Sequence, residues 1–295
     1  MKTSKRYLII RAAWYLLGFI LIYAPFALIQ RLLTGILNLQ GRADIHGSCF
    51  RMVVQGIFTG KGVQILTTSA IISISILILA FFFGPIFCGK FCATGAVTEY
   101  LSRILPDRIK LNWQKHMNPT PVRYGVLAGF LLTPALSLSV VCSFCNFSVM
   151  EKLVLGGVNL DIGVLGSTTI LTAFIWLFVL GIFAKGGRGY CSYLCPIGAV
   201  QSLMHYFGSK LPFTYKLKYK KEKCTKCNLC ARDCPTGAIQ SAENEIQYNI
   251  HTCITCHQCT KVCPKSAISY GRGKSGWIVP KDNVVIEQDK SLTAL

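Results

Sequence analysis

Four long apolar runs organise the first part of the chain: Tyr7–Ile29, Val63–Phe87, Tyr124–Val141 and Val164–Ala184. Each holds roughly 18 to 25 residues, which at about 1.5 Å rise per residue matches a hydrocarbon layer of about 30 Å. The pattern therefore predicts four transmembrane helices at about 7–29, 63–87, 124–141 and 164–184, with kinks at Pro25 and Pro134. The first run follows Lys2, Lys5 and Arg6 as a secretory signal would, but it is too long for one and lacks a small-x-small cleavage site, so it reads as an anchor. Beyond Lys185 the chain turns polar, lysine-rich and cysteine-rich. The expected organisation is a membrane all-α domain over 1–209, a second domain over 210–270 and a tail over 271–295.

Composition agrees with that pattern. Hydrophobic residues make up 52% and charged residues only 15% of the 295 positions, and mean hydropathy is +0.46, too apolar for an ordinary soluble domain of this length. Lysine and arginine gather before Arg11, between Cys88 and Arg123, and after Ala184, whereas the intervening loops are poorer. The positive-inside rule then places both termini, the middle loop and the second domain in the cytoplasm of a bacterial or archaeal cell, as a multi-pass protein of the cytoplasmic membrane. A net charge of +19 raises nucleic acid as a partner, but the topology accounts for most of the excess and no nucleic acid is expected. The run Lys210, Lys216, Lys218, Lys220, Lys221, Lys223 reads instead as a face for anionic lipid headgroups. No Asp, Glu, Lys, Arg or His lies in the central stretch of any apolar run, which speaks against a pump or transporter.

The chemistry is written in the cysteines. Cys224-x-x-Cys227-x-x-Cys230-x-x-x-Cys234-Pro235 recurs as Cys253-x-x-Cys256-x-x-Cys259-x-x-x-Cys263-Pro264, and even the flanks repeat. This is the spacing of two-cluster bacterial ferredoxins, in which three thiolates of one repeat and the fourth of the other hold each iron–sulfur cubane. One 4Fe–4S cluster is accordingly expected on Cys224, Cys227, Cys230 and Cys263, and the other on Cys253, Cys256, Cys259 and Cys234, with iron bound through these thiolates. The second domain should thus be an α+β ferredoxin-like unit. Cys253-Ile-Thr-Cys256-His257 also matches a haem attachment motif, but the ferredoxin register already uses both cysteines.

A second pair of motifs ends the second and fourth apolar runs. Phe87-Cys88-Gly-Lys-Phe-Cys92-Ala-Thr-Gly95-Ala96 aligns with Tyr190-Cys191-Ser-Tyr-Leu-Cys195-Pro-Ile-Gly198-Ala199, which makes the helical domain two related hairpins. Brought together, Cys88, Cys92, Cys191 and Cys195 would form a four-thiolate cage for a soft metal, a third cluster or a redox-active dithiol. Cys142 and Cys145 form a candidate redox pair on the opposite, outer side, with Cys49 and His46 nearby in the first outer loop. No short motif marks a quinone pocket; Trp14, Tyr23, Arg42 and His46 are its candidates, each also readable as an anchor or loop residue.

With its Cys-x-x-x-Cys pairs followed by the double ferredoxin motif, the chain resembles, over about Tyr7 to Tyr270, the membrane ferredoxin family that includes NapH of periplasmic nitrate reduction and the C-terminal half of NosR. The family's Cys-x-x-x-Cys-Pro is kept at Cys195-Pro196, whereas Ala93 follows Cys92. The resemblance implies four helices with cytoplasmic termini and an electron-transfer subunit of a quinol dehydrogenase-type complex. Such a subunit would take electrons from the quinol pool, or exchange them with a cytoplasmic donor, and relay them to a periplasmic or cytoplasmic redox protein of an anaerobic respiratory chain. The alternative is a membrane ferredoxin supplying electrons for metal or cofactor maturation of another redox enzyme. No catalytic triad, phosphate loop or nucleotide fingerprint appears, so a self-contained enzyme is not indicated.

Overall fold

The structure is a computed structural model and describes residues 2–39, 43–58, 67–134, 136, 140–159, 166–242 and 245–277. Helices dominate up to residue 209: α1 (Lys2–Ile22), α2 (Leu28–Leu37), α3 (Phe50–Phe58), α4 (Thr68–Phe83), α5 (Ala93–Ser102), α6 (Trp113–His116), α7 (Pro119–Leu132), α8 (Asn146–Asn159), α9 (Ser167–Phe174), α10 (Gly189–Tyr193) and α11 (Pro196–Ser209). There follow β1 (Lys216–Tyr219), α12 (Leu229–Arg232), β2 (Ile239–Ala242), β3 (Glu245–Tyr248), α13 (Gln258–Val262) and β4 (Ile268–Gly271). The strands pair antiparallel as β1 with β4, Leu217 opposite Tyr270, and as β2 with β3, Gln240 opposite Gln247. Trp277, beyond the last strand, stacks on Tyr219 and Tyr248.

Four membrane-crossing helices are not what forms. Among the described residues no helix is long and apolar enough to cross a membrane. The apolar runs persist, but the backbone breaks inside them. α1 stops at Ile22, ahead of a turn carrying Pro25, and is crowded with basic residues at its start. α4 is 16 residues long, about 24 Å, and ends on Gly84 at φ 76, where a glycine is favoured. α7 has 14 residues, about 21 Å, and ends before Pro134. The fourth run leaves α9 after 8 residues and continues over Ile175–Ile182 as a wider π-helical coil. The assignment of loops to two sides of a membrane, and of the termini to the cytoplasm, falls with the spans it was built on. Of the six lysines of the basic run, Lys216 is buried and donates to the Leu211 carbonyl at 2.7 Å, while Lys221 pairs with Glu245. The outward faces of the helices are nevertheless apolar, with Leu16, Ile78, Ile170 and Phe174 among the exposed residues.

What gathers the helices is a buried ion cluster. Glu99 on α5 accepts from Arg11 of α1 at 2.9 and 3.1 Å, from Arg188 just before α10 at 2.8 Å, and from Arg103 at 3.1 Å. Arg11, Arg188 and Glu99 are 1%, 0% and 0% exposed. Both guanidinium groups also donate to the Tyr15 hydroxyl, which in turn donates to the Gly89 carbonyl at 2.6 Å. Around this cluster lies a core of Tyr23, Phe147, Val149, Trp176 and Tyr190 that already includes Cys92 and Cys195. α4 packs along α11, where Gly208 lets the two backbones meet at the Phe81 carbonyl.

Burial alone would raise the Glu99 pKa, but Arg11, Arg188 and Arg103 together outweigh it and hold the carboxyl down at about 2. Removing one member leaves uncompensated buried charge, worth about 3–5 kcal/mol. Glu99→Gln is therefore expected to lower the thermal unfolding midpoint sharply. Because the folded pKa lies below the ordinary 4.5, the Glu99 contribution is present above that value and lost as pH falls toward about 2. Melting curves from pH 6 to pH 3 should show the wild-type advantage over Glu99→Gln shrinking; an advantage independent of pH would contradict the ion-pair account.

Candidate metal centres

In each ferredoxin repeat the loop curls around its cysteines by the same backbone device. Lys226 and Asn228 flank Cys227 with φ of 54 and 56; Thr255 and His257 flank Cys256 with φ of 50 and 59. Four non-glycine residues in the left-handed region, at equivalent places, mark a loop shaped for a ligand rather than for its own comfort. Two hollows result. One, of about 350 Å³, is lined by Cys224, Cys227, Cys230 and Cys263; the other, of about 300 Å³, by Cys234, Cys253, Cys256 and Cys259. Each set of lining cysteines takes three from one repeat and one from the other. Backbone amides already point at the sulfurs, from Ala267 to Cys263 at 3.2 Å and from Thr255 to Cys253 at 3.4 Å.

The chemistry of this donor set fits an iron–sulfur cluster. Burial first, and then neighbouring thiols, push Cys253 up to about 12 and Cys230 up to about 11, a cost that cationic iron offsets when it takes the thiolates. Among the described residues no three Cys, His, Asp or Glu side chains stand close enough to enclose a single metal ion. The sulfurs of a tetrahedral zinc site, with bonds of about 2.3 Å, lie about 3.8 Å apart, whereas the corners of a cubane keep its ligands wider. His257, the residue of the haem-like motif, lies against the Tyr270 ring at 4.3 Å, and burial lowers its pKa to about 4.

The helix-end cysteines are brought together as well. The Cys92 amide bonds back to the Phe87 carbonyl at 2.9 Å and the Cys195 amide to the Tyr190 carbonyl at 3.1 Å, the same five-residue wide turn in both motifs. Cys92 then caps α5 and Cys195 caps α11, with φ and ψ of −74 and 97 in one and −79 and 109 in the other. Each sulfur thus sits at the positive end of a helix, and Gly198 donates its amide to Cys195 at 3.4 Å. Pro196 starts α11 where Ala93 starts α5, so the missing proline does not alter the turn. All four thiols, Cys88, Cys92, Cys191 and Cys195, are buried and lie within electrostatic reach of one another.

Cations that sequence reasoning missed stand beside them. Arg188 lies against Cys191 and donates to the Cys88 carbonyl at 2.8 Å. Arg123 of α7 is 1% exposed, faces Cys195, Cys88 and Cys191, and has no carboxylate partner among the described residues. It also lies beside Tyr124 and donates to the His251 carbonyl of the ferredoxin segment. A buried guanidinium with no counter-ion is costly unless an anion joins it, and four thiolates around a cluster supply one. The signal for Arg188 and Glu99 in the sequence was slight: single charges among small and apolar neighbours, their partners far along the chain.

The centres adjoin. Cys230 of the first set and Cys259 of the second interact electrostatically. Cys256 of the second packs with Cys88 and Ile254, and Gly89 lies against the Ile254 carbonyl and the Cys256 backbone, with no room for a side chain. On the far side of the helix-end group Cys195 interacts with Cys145. Cys145, Cys142, Cys49 and His46 line one cavity. Of the remaining quinone candidates, Trp14 is exposed, Tyr23 is fully buried and bonded to Thr94, and Arg42 lies outside the described residues.

Comparison with known proteins agrees with this geometry. A family described as a 4Fe-4S binding domain matches twice, over residues 65–112 and 168–214, so that each match holds one Cys-x-x-x-Cys pair. A 4Fe-4S dicluster domain matches residues 223–268. The chain is 28% identical over 196 residues to an uncharacterized protein of Methanocaldococcus jannaschii, covering 63% of this chain and 71% of the relative. It is 28% identical over 151 residues to the ferredoxin-type protein NapH of Escherichia coli, covering 51% of this chain and 47% of the relative. With the methylamine utilization ferredoxin-type protein MauN of Methylorubrum extorquens it shares 27% over 187 residues, 62% of this chain and 58% of the relative. The chain thus spans about half the length of the named relatives. No solved structure matches. With two hollows each walled by four cysteines and the dicluster match falling on those same cysteines, the chain is a ferredoxin-type 4Fe–4S electron-transfer protein similar to NapH and MauN.

Proposed function

We propose that this chain is a fixed iron–sulfur relay with three centres, carrying electrons from the quinol pool or another redox donor to a redox partner protein. The ligands are Cys224, Cys227, Cys230 and Cys263 for the first cluster, Cys253, Cys256, Cys259 and Cys234 for the second, and Cys88, Cys92, Cys191 and Cys195 for the third. The observation that carries the reading is the contact of Cys88 with Cys256 across Gly89, which abuts the helix-end group on the ferredoxin hollows. Quinol as donor rests on the likeness to NapH. In this reading 1–209 is the helical domain and 210–270 the ferredoxin-like one.

A bound 4Fe–4S cluster supplies reversible one-electron transfer. The chain's own residues set its conditions. Crosswise ligation by Cys234 and Cys263 fixes the spacing of the first two clusters. Arg188 and Arg123 place positive charge beside the third set of thiolates, the helix N-termini at Cys92 and Cys195 add partial positive charge, and the surrounding apolar core excludes water.

Protein purified without oxygen is expected to hold about twelve irons, four for each of three clusters. Cys191→Ser should leave about eight, with an unchanged ferredoxin-type EPR signal. Wild-type protein with eight irons, unaffected by Cys191→Ser, would remove the third centre. Adding a reduced quinol analogue should elicit cluster signals; signals that only dithionite elicits would rule out direct quinol oxidation and leave a protein donor.

Arg123 offers a second test. Withdrawing a buried positive charge favours the oxidised cluster, so Arg123→Gln is expected to lower the midpoint potential of the helix-end centre by on the order of 50 mV. Arg123→Lys should recover part of the shift. Redox titration followed by EPR reads both, and an unmoved potential would mean that Arg123 does not face the cluster.

A further inference from the structure

The cavity beyond the helix-end cysteines has features the relay alone does not use. Its walls are mostly apolar, from Ile22, Ile76, Phe87 and Phe130 among others, yet three free cysteines of two distant segments converge there: Cys49, ahead of α3, and Cys142 and Cys145, ahead of α8. Arg51 donates through Nη1 to the Cys142 sulfur at 3.0 Å. Cys49 lies within electrostatic reach of both Cys142 and Cys145, and Cys145 within reach of Cys195. Two further groups face the same space without a partner: both ends of the Gln201 amide, 0% exposed, and the Ser73 hydroxyl, 6% exposed. A three-thiol metal cage does not account for the arrangement, since the thiols do not close to single-ion separations among the described residues.

We propose that Cys49 and Cys142 form a redox-active dithiol–disulfide couple at this cavity, linked through Cys145 to the iron–sulfur relay. The link rests on the third centre proposed above; the couple itself does not. In the reductive direction the Cys49–Cys142 S–S bond breaks, taking two electrons from a reduced iron–sulfur centre in two one-electron deliveries. One proton goes to Cys49 and a second to Cys142, whose sulfur accepts from the Arg51 guanidinium. Oxidation reverses the step: the sulfur–sulfur bond reforms and two electrons return. The couple thereby stores two electrons beside a relay that moves one at a time. Cys145, lying between Cys49 and Cys195, serves as the positioning residue for transfer and is not consumed.

Differential alkylation followed by peptide mass spectrometry tests this on the full chain purified without oxygen. Equilibration in an oxidised dithiothreitol buffer should yield a Cys49–Cys142 linked peptide. Reduced dithiothreitol should replace it with two alkylatable thiols. Cys142→Ser should leave Cys49 alkylatable in the oxidised buffer, with iron content unchanged. Full alkylation of Cys49 and Cys142 in the oxidised buffer, or linkage of Cys142 to Cys145 instead, would overturn the couple. Reduced methyl viologen should open the disulfide in wild-type protein but open it at least tenfold more slowly in Cys191→Ser, while dithiothreitol opens it equally in both. Equal rates with viologen would sever the link to the relay while leaving the couple standing.

Discussion

Everything in the helical body hangs on one carboxylate. Glu99 is the lone buried anion among Arg11, Arg188 and Arg103, so it fixes where three chain segments meet and where the surplus positive charge points. Arg188 cannot satisfy Glu99 without also reaching the Cys88 carbonyl and Tyr15. The ion cluster therefore holds the wide turn at residues 87–91 and the Arg188 loop in one arrangement. In energetic terms the motif is not an efficient stabiliser, since a well-packed apolar substitute can match a buried ion pair. Its gain is placement: a polarised, water-free wall behind four thiols that carry negative charge once metallated.

From that wall the sulfur groups follow one another through the protein. The two ferredoxin sets share an electrostatic boundary at Cys230 and Cys259, the second set touches the helix-end group at Cys256 and Cys88, and the helix-end group reaches Cys145 through Cys195. None of these junctions involves residues close in sequence: each is made by cysteines that different parts of the fold supply.

The ferredoxin repeats were legible because their geometry is local. Ligand spacing inside each loop is set by a few backbone angles, and the exchange of Cys234 and Cys263 follows from the repeat itself. The helix-end motifs were legible as two pairs, but their union depends on tertiary packing that brings Cys92, ahead of α5, within reach of Cys191 and Cys195, ahead of α11, information spread over a hundred positions. The expectation of four crossing helices failed for a definite reason. An apolar run records what a segment avoids, not where its backbone stops, and Pro25, Gly84 and Pro134 stop it early. Arg11 and Arg123 made the same point: each lies at the edge of an apolar run, and packing draws it inward to meet Glu99 or the thiols. The distribution of lysine and arginine had counted both only toward cytoplasmic segments.

Small ferredoxins carry electrons by diffusing between partners, so encounter limits their traffic. Here the cluster-bearing segment is bolted to the helices by Tyr7, Arg123, Tyr124 and Tyr270, and the bare backbone of Gly89 lets Cys256 approach as closely as two chains can. In the relay proposed above, transfer between them is a tunnelling event over a gap built into the fold, with no docking step and no search. A side chain at position 89 would act as a spacer in a conductor, lengthening the one jump that no other part of the protein can shorten.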